Sequence, residues 1–131
     1  MKAGVFMSPI TKFDIDDHDV DTLLFCMKYM KDYPPETFTT VEMLRNNKCI
    51  KSASEKLKKH KRKFDNGELS IMYGAMTFVR LLNDSPNNFP EIPDDVKKAC
   101  SDRSKSIISL MDYFDDNLSG SGFHTYSEIG D

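Results

Sequence analysis

From position 19 onward apolar residues recur at steps of three and four, Val20, Leu23, Leu24, Met27 and Met30, which marks one face of an amphipathic helix. Pro34-Pro35 ends it, because the residue before a proline is pushed out of helical geometry. Thr39-Thr40-Val41-Glu42 has the spacing of a capping box, with Phe38 placed to staple onto Met43, and predicts a second, short helix that stops near Asn46-Asn47. Ser52-Ala53-Ser54-Glu55 repeats the signature and predicts a third helix over the basic segment. Its apolar stripe is narrow: Ala53, Leu57 and Phe64, with His60 on the same side.

Asp65-Asn66-Gly67-Glu68 predicts a further helix start, with Phe64 and Leu69 as the staple pair. Behind it Leu69, Ile71, Met72, Tyr73, Ala75, Met76, Phe78, Val79, Leu81 and Leu82 surround the helical circumference, the pattern of a central, buried helix. Gly74 in its middle costs about 1 kcal/mol relative to Ala, which a close helix crossing would offset. Residues 84–93, with three prolines, read as a connecting loop. Asp94 is expected to cap a long last helix whose stripe runs through Val96, Ala99, Cys100, Ile107, Leu110, Met111, Phe114 and Leu118. The expectation is an all-α, single-domain bundle of five helices over residues 1–118. Ser119-Gly120-Ser121-Gly122 forms a hinge to a flexible tail, 119–131, whose aromatic stretch either packs back or reaches a partner. A short strand around residues 3–6 fits the sequence but has no identifiable partner strand.

Composition agrees with one globular unit: 131 residues, 39% apolar and 30% charged, too apolar for a disordered chain and too charged for a membrane protein. No run approaches the roughly 20 apolar residues of a spanning helix, and no secretory leader is visible. Cys26, Cys49 and Cys100 are odd in number and far apart, so reduced thiols in a cytoplasmic protein are expected.

Charge changes the picture more. The formal net charge of −3 hides a segment, 51–63, with seven basic residues against Glu55 alone, and a remainder with 11 basic and 20 acidic residues. Five aspartates gather at 14–21. Counted as a calcium loop from Asp14, that run puts Asp19 where the turn needs Gly and Phe25 where a bidentate Glu is required, so it reads instead as a helix start favoured by the helix dipole, one aspartate capping it. His18, His60 and His124 share no ligand-spaced partner, and neither a zinc, nucleophile-elbow nor phosphate-loop motif occurs. Cys49, although beside Lys48 and Lys51, has no base in sequence reach and reads as passive. No cofactor, metal or catalytic residue is expected.

Two functions are carried forward. The first is a non-enzymatic protein-binding module, of the kind of a small inhibitor or immunity protein neutralising a toxin such as a nuclease. It would dock through Asp14, Asp16, Asp17, Asp19, Asp21, Asp112, Asp115 and Asp116 by charge complementarity. The second is a nucleic-acid-binding regulator using Lys51, Lys56, Lys58, Lys59, Lys61, Arg62 and Lys63 on one short basic helix. A helix-turn-helix reading of that region fits poorly, lacking the turn glycine and base-reading side chains.

Overall fold

The computed structural model describes residues 11–12 and 14–118, and the expectations for residues 3–6, His124 and 119–131 lie outside them. Among the described residues are five α-helices, α1 (Asp17–Asp32), α2 (Thr40–Lys58), α3 (Asn66–Asp84), α4 (Asp94–Asp102) and α5 (Ser104–Leu118). Two short strands, β1 (Thr11–Lys12) and β2 (Lys63–Phe64), pair antiparallel with Thr11 opposite Phe64. The chain is an all-α bundle, as its periodicity predicts.

Why α3 sits at the centre follows from its sequence. Apolar side chains cover most of its circumference, leaving Ser70 and Leu81 to water, and it packs against α1, α2, α4 and α5. Leu69, Met72, Tyr73, Met76, Val79 and Leu82 are buried there, meeting Leu23 and Met27 of α1, Leu57 of α2 and Ile107, Met111 and Phe114 of α5 in one core. The predicted start is present: the Asp65 side chain accepts from the Glu68 N–H and the Glu68 carboxylate accepts from the Asp65 N–H, while Phe64 and Leu69 are fully buried as a staple pair would be. Asp16 and Thr39 cap α1 and α2 through the same reciprocal arrangement, with Asp19 and Glu42 as partners.

Five expectations are corrected. The helices predicted at 39–47 and from 52 are one helix, α2, with no interruption at Asn46-Asn47. No Gly or Pro stands between them, Ile50 and Ala53 carry the buried face across, and the Ser52 hydroxyl hydrogen-bonds Glu68 of α3 instead of capping. The basic segment consequently is not one short helix: α2 ends at Lys58, His60 takes a left-handed φ of 61° and is exposed, not on an inner face, and Lys63 lies in β2. The long last helix divides at Arg103, whose guanidinium stacks 4.0 Å from the Phe25 ring centroid and donates to the Ala99 carbonyl. Asp94 is the first residue of α4 rather than its cap, a position taken by Pro93 without any side-chain hydrogen bond. Finally, no helix crosses closely at Gly74; a Cβ built there meets nothing within 4 Å.

Candidate functional site

Uniting the two predicted helices into α2 aligns residues that look scattered in the sequence. Positions 44, 48, 51, 55 and 58 step by four and three, so Leu44, Lys48, Lys51, Glu55 and Lys58 form one stripe down the helix. On α1, Leu24, Lys28 and Lys31 do the same. These stripes line a groove of about 900 Å³ between α1 and α2, with Asp32 at the α1 end. Five lysines face two carboxylates along it.

Its charges are largely unspent. Lys28 pairs with Asp32 at 2.6 Å, but Lys31, Lys48, Lys51 and Lys58 are exposed and make no ion pair among the described residues. The apolar part is equally open: Ile50 is buried, Leu24 is half-buried, and Leu44 is 66% exposed with Val41 one turn earlier at 68%. The stripe from Leu44 to Lys58 runs about 21 Å at the helical rise of ~1.5 Å per residue, four turns of a partner helix. No aromatic ring lines it, so the groove offers cationic and aliphatic contact and nothing on which a base could stack.

The structure separates the seven basic residues singled out from the sequence. Lys51 and Lys58 belong to the groove. Lys56 turns the other way: its Nζ lies 2.7 Å from the Glu68 carboxylate and also donates to the Lys63 carbonyl at 3.1 Å. Burial pushes the Glu68 carboxyl up, yet hydrogen bonds from Lys56, Ser52 and the Asp65 N–H outweigh it and hold the group below the ordinary carboxylate range. Arg62 donates to the Ile15 carbonyl at 3.3 Å and so fastens the segment before α1. Lys59, Lys61 and Lys63 are exposed on the turn and strand beyond the helix.

Four of the eight acidic residues singled out from the sequence have side chains tied into the fold. Asp16 and Asp19 form the α1 capping box, Asp21 lies 3.7 Å from Arg103, and Asp115 accepts from the Tyr73 hydroxyl at 2.8 Å. The N–H of Asp14 donates to the Tyr113 hydroxyl at 2.9 Å and His18 bonds Ser106 at 2.8 Å, so the start of α1 is held beside α5 and the two acidic segments adjoin. Asp17, Asp112 and Asp116 remain exposed there. Cys26 and Cys100 are buried, and burial raises both thiols, Cys100 to about 11. For Cys49 burial comes first and the nearby Asp65 and Glu68 charges add to it, raising the thiol in spite of Arg45 and Lys48.

Sequence reasoning missed Lys28, Lys31 and Lys48, along with Leu24 and Leu44. The signal that finds them is the four-three spacing across positions 44–58, legible only when α2 is taken as a single helix. Among the described residues no group of three or more His, Cys, Asp or Glu is placed to hold a metal, and no helix is long and apolar enough to cross a membrane. No protein-family model, curated protein or solved structure matches the chain.

Proposed function

We propose that the protein is a non-catalytic, cytoplasmic protein-binding module whose α1–α2 groove receives an acidic, amphipathic helical segment of a partner, acting by occlusion as small inhibitor and immunity proteins do. The groove carries this reading. Unpaired lysines on its walls select negative charge and steer encounter, while Leu24, Leu44 and Ile50 offer the apolar contact that a helix seated in a groove uses for affinity. A protein segment is favoured over nucleic acid because the ligand must match aliphatic side chains as well as cations, and the groove has no ring for base stacking.

Three probes of equal negative charge test it: a synthetic acidic helix with leucines at three- and four-residue spacing, the same peptide with serine at those positions, and a single-stranded oligonucleotide. The leucine peptide should bind saturably, more weakly as salt rises, with resonance shifts at Leu24, Leu44 and Ile50. Burying one leucine contributes about 1.5–3 kcal/mol, so the serine peptide should bind at least about tenfold more weakly. Equal retention of the two peptides, or tighter retention of the oligonucleotide, would overturn the reading.

A further inference from the structure

On the opposite flank of α1 lies a second concavity of different chemistry. It has about 350 Å³ and is walled by four aromatic rings, Tyr29 from α1, Tyr33 just past its end, Phe78 from α3 and Phe89 from the loop before α4. That volume stands at the small end of ligand pockets, roughly 300–1,000 Å³, which suits a single compact group. Its charged lining consists of Asp32, Glu36 and Glu91, without any Lys, Arg or His. The Tyr29 and Tyr33 rings are 5.5 Å apart and tilted by 35°, while Phe78 is fixed from behind by an edge contact with Phe38 at 5.7 Å.

Tyr29 forms part of the pocket wall. The residue is only 7% exposed and lines this pocket, and its hydroxyl, unbonded to any described residue, still reaches solvent. Burial, reinforced by Cys100, Glu91 and Tyr33, pushes the phenol up to about 12.

We propose that this pocket is a binding site for an alkylated ammonium group. Rings offering their negative faces attract a cation that is too weakly hydrated to prefer water, and carboxylates at the rim add charge without chelating it. Asp32 is paired with Lys28, but an uncharged apolar group would leave Glu36 and Glu91 unused, and an anion would be repelled by them. The site adjoins the lysine groove, sharing Asp32 with it, but does not depend on how that groove functions.

Because the chain has five Tyr and no Trp, tyrosine fluorescence together with ring-proton shifts of Tyr29 and Tyr33 reports occupancy. The full chain is titrated with choline and with its carbon isostere, in which a tert-butyl group replaces the trimethylammonium. Choline should bind saturably and the isostere at least about tenfold more weakly. Glu91→Lys, at an exposed position where folding is untouched, should weaken choline by a similar factor, and Tyr33→Leu should do so with apolar bulk retained. Equal binding of choline and isostere, absence of saturable binding at millimolar choline, or indifference to both substitutions would overturn the proposal. A peptide carrying trimethyl-lysine distinguishes the source: tighter binding than choline assigns the site to a modified side chain, equal binding to a free small molecule.

Discussion

Helix α2 carries lysines on two faces, and they do opposite work. Lys56 points inward, where its ammonium meets the Glu68 carboxylate, itself 2% exposed, alongside the Ser52 hydroxyl. Lys48, Lys51 and Lys58 point outward along the groove with no ion pair among the described residues. Residue type and helix are the same, so what differs is the cost of leaving the charge alone. A buried carboxylate cannot stay charged without a partner, whereas an exposed ammonium is satisfied by water until a ligand displaces it. The inward lysine is thereby committed to folding and the outward ones are free for recognition.

The largest effect should come from breaking the inward pair. Lys56→Met keeps the stem and removes the ammonium, leaving Glu68 buried without its main partner. A loss of about 3 kcal/mol is expected in urea or thermal unfolding, the low end for a broken buried pair because Lys56 retains some contact with water. The pH dependence gives a sharper reading. In the native protein the Glu68 carboxyl is held below its ordinary 4.5, so its contribution is complete above that value and is lost as pH falls through the lower folded value. In the variant burial is opposed less and the folded carboxyl moves up, so acidification favours the folded state. The gap between the two proteins should therefore narrow as pH drops below about 4.5. A constant gap across that range would mean that Lys56 stabilises through packing of its stem alone.

A smaller effect tests whether the inward side of α2 is tight along its whole length. Between α2 and α3 a shallow hollow is lined by Cys49, Ser70 and Gly74, among others, and a Cβ at Gly74 finds open space. Gly74→Ala should stabilise the protein by about 0.5–1 kcal/mol, the ordinary helix-propensity gain, seen as a raised thermal midpoint. Destabilisation would mean that α2 closes on α3 in solution and that glycine is required for the approach.

How much of this was legible in the sequence follows from what each signal depends on. Capping boxes at Thr39 and Asp65 and the all-round apolar pattern of α3 are local, and local signals survive folding: both boxes and the central helix are present. Ser52 carried a local signal as well, but its hydroxyl serves Glu68 sixteen residues away, so a tertiary partner erased the predicted helix start. Gly74 was misread for a related reason, since a glycine inside a buried pattern does not disclose whether a neighbour approaches it. The groove was hidden more deeply. Charge density along the chain singled out 51–63, whereas the groove draws Lys28 and Lys31 from α1 and Lys48 from the stretch left between two predicted helices. Summing charge along a sequence cannot separate Lys56 from Lys51, because the distinction is which way each points from the helix axis.

The smallest effect on stability should accompany the greatest effect on binding, and this dissociation isolates the outward face. Lys48→Glu combined with Lys51→Glu alters two exposed positions with no ion pair to lose, on a helix whose buried contacts at Ile50, Ala53 and Leu57 stay in place. Unfolding free energy should change by no more than about 0.5 kcal/mol, as for surface substitutions away from caps, cores and networks. New carboxylates at these positions face Lys28 and Lys31 across the groove and neutralise the wall that the acidic helix needs. Its retention should fall at least about tenfold, and the remaining affinity should lose most of its dependence on salt. Calorimetric unfolding and peptide titration on the same sample check both halves. If stability drops as far as in Lys56→Met, the outward lysines belong to the fold after all, and the two faces of α2 differ only in exposure.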